Sequence, residues 1–409
     1  MLLLLFGAAS TATALHSSSA ASPHSICNFG FATSSCRPAH SQRAVAPLLS
    51  LSEEPSSNNN KLGATAVLAT ITIMYGTNYP TIKYMNDMLD GAAETSVLRF
   101  GVAFMTLAPV LAVLCSRDSR FVQPAFIRDG MQVGVCFALA YAAQATALET
   151  SNAGLQAFLC GLAVLVCPAL ESTIDGKEQP PKVWAAALLA TAGIGCIELG
   201  GIAAGSGGLT TGDLIGLGQP LGFGTGFFLI ERAMATHQLP ASSLRGEDGE
   251  PSKTDFLTPL ALTAWQFSII FPLCLLWLAA SGGAPAVEHL ATVTGSLLAD
   301  PTAQGNLLGA LVWTGAATTA LSCVAETAAL GTLSSAEATI IFSTEPLWAC
   351  VFAFAMLGES LDASCAAGGA LMLSACLVSS WDGPFPGTRR LRVGLVKARR
   401  TVRRALAWA

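Results

Sequence analysis

The sequence predicts an all-α membrane protein in which ten transmembrane helices form two inverted five-helix repeats. Three observations carry this expectation: a shortage of charge, apolar runs that recur at spanning length, and basic residues gathered on one side. Only 11% of the 409 residues are charged, while 52% are hydrophobic. A soluble domain carries about 25% charged residues. A chain of this size cannot cover its surface with so little charge, so lipid must be its solvent. The formal net charge of -5 says little about partners, because the two signs are segregated along the chain.

Residues 1–61 read as a targeting presequence, disordered and not part of the fold. Leu2–Phe6 and the Ala/Thr-rich stretch after it form a short apolar region ending in small residues, which is the shape of a secretory signal. The following Ser/His/Ala-rich segment holds Arg37 and Arg43 and has no acidic residue before Glu53, as transit peptides do. This two-part address favours the plastid envelope or another plastid membrane. An ordinary signal leading to the secretory pathway or plasma membrane is the alternative.

Apolar runs near the length needed to cross about 30 Å of hydrocarbon follow. They fall at 62–82, 93–115, 128–148, 152–171, 183–202, 212–232, 256–280, 306–330, 335–357 and 363–381. Basic residues test that count. With ten spans, nineteen of the 21 Lys and Arg lie on the side that holds both termini. Lys83 stands alone on the other side, and Arg99 falls inside a span. The positive-inside rule puts the basic side in the cytoplasm, or in the stroma of a plastid. The tail at 383–409 repeats basic residues around Leu391, Leu395, Val402 and Leu406 and reads as an amphipathic helix lying on anionic lipid. A nucleic-acid partner is not expected.

The chain divides near Gly205–Gly208 into repeats at 62–204 and 205–382. Thr150-Ser151-Asn152-Ala153 opens a span in the first, and Leu333-Ser334-Ser335-Ala336 opens one in the second. Repeats with an odd number of spans sit in opposite orientations, the plan of many carriers with a central site.

Against this frame a family resemblance stands out. Tyr75-Gly76-Thr77-Asn78-Tyr79-Pro80-Thr81-Ile82-Lys83 and Leu98-Arg99-Phe100 in the first repeat resemble EamA-type members of the drug/metabolite transporter superfamily. So do Ser334–Ala336, Glu345-Pro346-Leu347-Trp348, Leu357-Gly358-Glu359-Ser360-Leu361 and Gly368–Leu373 in the second. The resemblance implies ten spans in two repeats and transport of a small organic metabolite by alternating access, with proton coupling left open. The first repeat departs from the pattern at Gly161-Leu162, where a Glu-Pro-like pair is expected, so its fourth helix is expected to bend differently.

Charges inside spans cost about 2.5–3.5 kcal/mol each on insertion, so they usually face a cavity or a partner. Arg99, Glu326 and Glu345 are the deep ones, and an ion pair between Arg99 and Glu345 is one expectation. Asn78, Gln144, Gln219 and Gln266 join them as candidate substrate-binding or gating residues, with Trp348 as a wall and Trp265 as another. Gln156 is a further amide of this kind, and Tyr75 a further polar group. Glu149, Glu171, Glu198 and Glu231 sit near span ends and are expected to reach the headgroups, whereas Glu94 and Glu337 suit helix dipoles. Pro346 removes a backbone hydrogen bond in mid-span and predicts a kink. Gly218, Gly222 and Gly226 recur at four-residue spacing, which bares one helix face for close packing.

Ten of the twelve cysteines lie in or beside apolar runs, and no Cys-x-x-Cys or Cys/His spacing suggests a metal. The glycines at 216–224 follow no strand, so they are not a dinucleotide loop. No catalytic residue, metal or cofactor is expected, and no motif for ATP hydrolysis occurs. The expected partners are a small-molecule substrate and the bilayer, with a homodimer left open. The competing readings are an intramembrane enzyme acting on lipid and a non-transporting scaffold or receptor. The first would want histidines clustered at a membrane face, and all five lie scattered outside the spans.

Overall fold

The computed structural model describes residues 55–151, 153–203, 210–239, 256–302, 304–358 and 363–380, and no strand occurs among them. The N-terminal address, the Gly205–Gly208 junction, Arg245, Lys253, Glu359 and the basic tail lie outside the described residues, as does the side chain of Glu198. Helix α1 (Pro55–Gly76) leads into α2 (Asn78–Met88), then α3 (Ala92–Arg117), a short 3-10 turn and α4 (Pro124–Thr150). Next come α5 (Ala153–Gly161) with α6 (Ala163–Thr173), then α7 (Pro181–Ala203). The second half opens with α8 (Thr211–Gly216) and α9 (Gly218–His237), followed by α10 (Leu257–Ala299). α11 (Gly305–Val312) passes through a π-helix (Trp313–Leu321) into α12 (Ser322–Leu330). α13 (Ser335–Phe342), α14 (Glu345–Leu357) and α15 (Ala363–Ser380) complete the order.

Taken with their breaks, these helices make ten rods among the described residues, one on each apolar run. Six are long and apolar enough to cross a membrane by length and composition: Ala92–Arg117, Pro124–Thr150, Ala153–Thr173, Leu257–Ala299, Gly305–Leu330 and Ser335–Met356. Large apolar side chains such as Leu188, Leu276, Leu321 and Leu377 stand exposed. In water that outer surface would be untenable; in lipid it is the expected one.

Two boundaries differ from the sequence reading. The first helix begins at Pro55, not Leu62, so 55–61 are helical instead of disordered. Proline fits the first helical turn, and a helix once nucleated by its apolar part extends at little cost. The seventh rod does not stop at 280 but reaches Ala299 across a corner at Gly283, whose φ of 62° and ψ of -155° only glycine adopts readily. Pro285 then suits the first turn of the continuing helix.

Four rods break in the middle. At Thr77, Leu162, Leu217 and Thr344 ψ relaxes to -19°, -9°, -15° and -9°. Three of these show the tighter i→i+3 bond that accompanies such a change: Thr77 N–H to Met74 O, Leu162 N–H to Leu159 O and Thr344 N–H to Ile341 O. Proline explains three breaks. Pro80 and Pro220 follow Gly76 and Gly216 by four residues, and Pro346 follows Thr344 by two. The fourth, at Gly161-Leu162, forms with no proline before Pro168, so the departure in sequence does not abolish the bend.

Small residues let the rods approach. A Cβ on Gly222 would stand 2.8 Å from Cys136 O and 2.7 Å from Ala140 Cβ; one on Gly226 would stand 2.1 Å from the Phe137 ring. Gly218, with Ala143 Cβ 3.0 Å from such a Cβ, completes a glycine face along α9 that lies on α4. Elsewhere α3 packs on α10, α7 on α15, and α12 on α1.

Candidate functional site

A cavity with about 560 Å³ of empty space, its mouth included, opens where rods one, three, four, six, eight and nine meet. Helix breaks build its wall. Tyr75, Asn78 and Tyr79 flank the break in the first rod, Cys160, Gly161 and Ala163 that in the fourth, and Ser343 and Glu345 that in the ninth. A broken helix leaves backbone polar groups unpaired at membrane depth, which is tolerated only beside a cavity or protein.

Glu326, on α12, is 2% exposed and lines this space. Tyr75 Oη donates to its Oε2 at 2.8 Å, while Oε1 has no partner. Glu345 and Gln144 line the same cavity, and the buried Tyr79 hydroxyl there is also unpartnered. Aromatic rings form the rest of the wall. Phe223 lies 4.9 Å from Tyr141 and 5.6 Å from Phe137, and Phe227 lies 5.1 Å from Phe342, all centroid to centroid.

Arg99 sits one layer behind. Its guanidinium carbon is 5.2 Å from the Tyr141 ring centroid and 5.1 Å from that of Phe100, and its Nε donates to Thr319 Oγ1 at 3.0 Å. Arg99 does not line the cavity. No carboxylate lies at ion-pair distance from it among the described residues, so the expected pair with Glu345 does not form. Stacking on two rings supplies the contact that a carboxylate would otherwise give. Between Arg99 and Glu326 lies a soft partition: Cys323 Sγ is 3.7 Å from Tyr75 Oη and 3.8 Å from Tyr141 Oη.

The π-helix supplies a feature that no residue pattern announced. Its wider turn aims neighbouring side chains at different rods. Thr318 Oγ1 donates to Asn78 Oδ1 at 2.5 Å, Thr319 accepts from Arg99, and Trp313 Nε1 donates to Thr77 Oγ1 at 2.8 Å. Such π segments gather at functional sites.

The other expected site residues lie elsewhere. Gln219 donates to Gln156 Oε1 at 2.8 Å in a separate cluster, where Gln156 Nε2 donates to Ser151 Oγ at 2.8 Å and Ser151 Oγ to Asp213 Oδ1 at 2.5 Å. Gln266 is fully buried outside the cavity, with neither side-chain polar atom partnered. Trp348 is half-buried on Gly76, where an added Cβ would meet Trp348 Cβ at 2.6 Å. Trp265 walls nothing here; its Nε1 donates to Phe121 O at 3.0 Å. Pro346 opens α14 directly after the break.

Of the carboxylates near span ends, Glu171 and Glu231 turn inward, while Glu149 stays exposed and bonds a helix start. Glu149 Oε1 accepts from Ala92 N at 2.8 Å at the start of α3. Glu171, 2% exposed, accepts from Ser335 Oγ at 2.7 Å and Ala336 N at 3.0 Å, and Glu231 Oε2 accepts from Ser335 N at 2.8 Å. Unpaired N–H groups at a helix start attract carboxylates. Glu337 closes a capping box with Ser334. Outside the spans Lys177 donates to Glu231 at 2.8 Å, and that bond is the main reason its ammonium is held above the usual lysine range.

Comparison with known proteins agrees with this architecture. Residues 252–381 match the family described as "EamA-like transporter family". No curated protein matches the chain. A solved structure described only as "Crystal structure of protein" aligns over 78% of this chain and 96% of its own, at 13% identity and a TM-score of 0.53. At that identity the likeness concerns fold alone. The chain is a multi-pass integral membrane protein.

Proposed function

We propose that this chain, whose second half carries an EamA-like transporter domain, is a secondary carrier that moves a small organic solute by alternating access. Its ten rods are ten spans in two inverted halves, and both termini face the cytoplasm or stroma. One observation carries the reading: a sparsely charged cavity, bounded by both halves at three helix breaks, holds a buried carboxylate with a free oxygen. That is the place where alternating carriers keep their sites.

The packing supports two equivalent halves. Replacing each rod by the one five places along carries most packed pairs onto packed pairs, with three–four and five–nine as the exceptions. Rods one and eight become six and three, one and nine become six and four, and two and eight become seven and three. Pairs two–seven, four–nine and five–ten map onto themselves. The breaks fall in the first and fourth rods of each half. Five spans per half imply opposite orientations, and the one-sided distribution of basic residues supports both ends on one face. Glu326 or Glu345 takes up the coupling proton in this scheme, since no group for ATP hydrolysis is at hand. The address at 1–61 directs the carrier to a plastid membrane.

Uptake of radiolabelled neutral amino acids and primary amines into proteoliposomes preloaded with the same unlabelled compound tests the carrier. Exchange above the protein-free level, lowered at least tenfold by Glu345→Gln, is the expected result. Equal entry into protein-free vesicles would count against transport. Labelling that places the two termini on opposite faces would dismiss the paired halves. A fluorescent protein fused behind residues 1–61 reports the address.

A further inference from the structure

We infer that the solute is an organic cation, a protonated amine on a flat or branched apolar body, bound by Glu326 and Glu345. The inference rests on the carrier reading for its transport, but not for its binding.

Charge is the first argument. Among the described residues, the cavity wall contains two carboxylates and no lysine, arginine or histidine. Arg99, the deep cation nearest to it, is committed to two ring faces and to Thr319 on the far side of Tyr141. An ionised carboxylate in an apolar enclosure is expensive unless a cation neutralises it. An anionic solute would add a like charge to that enclosure, and a neutral one would leave only protons to neutralise the carboxylates.

Hydrogen-bond geometry is the second. Tyr75 occupies one oxygen of Glu326 and fixes the group's orientation, while the other oxygen is buried and unpartnered. A primary ammonium offers three donors, enough for that oxygen, for Glu345 and for an amide oxygen such as that of Gln144.

The wall is the third. Aromatic rings surround the carboxylates, and ring faces attract cations while excluding water. A zwitterionic amino acid would bring its own carboxylate, and no cation on the wall answers it. Several donors are needed to hold a carboxylate or phosphate, and the lining does not provide them. The apolar body fits against Phe223 and Phe227.

Equilibrium binding to the full chain in detergent tests this without requiring transport. The probes share one phenyl body and differ in charge: phenethylamine, 2-phenylethanol, phenylalanine and 3-phenylpropionate. Cyclohexylamine and tryptamine extend the amines in shape. At least one amine should bind at least tenfold more tightly than the alcohol, the zwitterion and the anion. Glu326→Gln or Glu345→Gln should weaken it at least tenfold, with elution and melting unchanged. Leu276→Ala, at an exposed position that does not line the cavity, should hold binding within a few-fold. Equal or tighter binding of the alcohol, zwitterion or anion overturns the inference. So does failure of all three amines to bind, or binding undiminished in both glutamine variants. Amine binding without vesicle uptake would fault the carrier reading alone. Uptake of phenylalanine without amine binding would fault the cation alone.

Discussion

Glu171 caps the helix that Ser335 begins: its Oε1 accepts from Ser335 Oγ at 2.7 Å and from Ala336 N at 3.0 Å. The carboxylate comes from α6 and the helix is α13, so a residue of one half completes the backbone bonding of the other. Glu231 joins from α9 through Ser335 N, and Lys177 ties Glu231 to the loop after α6.

Removing that cap should loosen the contact between halves. Glu171→Ala leaves buried donors at the start of α13 unpaired and is expected to cost about 1–3 kcal/mol, while Glu171→Gln retains an acceptor and costs less. Thermal unfolding in detergent reads both. Equal melting of the alanine variant and the parent would contradict the capping role.

Arg99 makes a different prediction. Arg99→Met preserves bulk and removes a buried charge with no carboxylate at ion-pair distance, so stability should stay within about 1 kcal/mol or rise. Arg99→Lys keeps charge but loses the planar stack on Phe100 and Tyr141 and the Nε bond to Thr319. Uptake should fall in both variants. A lysine variant with full uptake would mean that charge alone matters.

The bond from Thr318 to Asn78 ties the π-helix to the first break. Thr318→Val should lower uptake about three- to tenfold, on the scale of one net hydrogen bond. Thr318→Ser keeps the hydroxyl and should restore it. Matching uptake in the valine and serine variants would show that the contact is incidental.

Glycine packing separates two positions of one residue type. Gly226→Ala drives a methyl into the Phe137 ring and is expected to destabilise by about 1–3 kcal/mol. Gly309→Ala, in a helix with nothing within 4 Å of the new atom, should gain about 0.5–1 kcal/mol. Melting of the two variants side by side decides the matter.

The sequence disclosed the rods because spanning length and charge scarcity are properties of whole segments, and lipid enforces them residue by residue. Asn78, Gln144, Glu326 and Glu345 stood out for the same reason: polar groups in hydrocarbon need a purpose. Arg99 and Gln219 stood out equally, yet burial alone does not say which cavity or partner a side chain meets. Glu171 and Glu231 were misread because span-end position fits both headgroups and a neighbouring helix start, and only tertiary packing chooses. Thr318 and the π-helix carried no signal, since threonine is ordinary in a span and a widened turn leaves no periodic trace over nine residues.

The interruption at Gly161-Leu162 differs in kind from the one before Glu345-Pro346. Proline makes the latter permanent, because the missing N–H cannot return. At Leu162 every amide hydrogen is still present, so that bend can straighten into continuous helix and form again. The fourth rod thus owns a reversible elbow and the ninth a fixed one. Straightening the fourth rod therefore costs less backbone bonding than straightening the ninth.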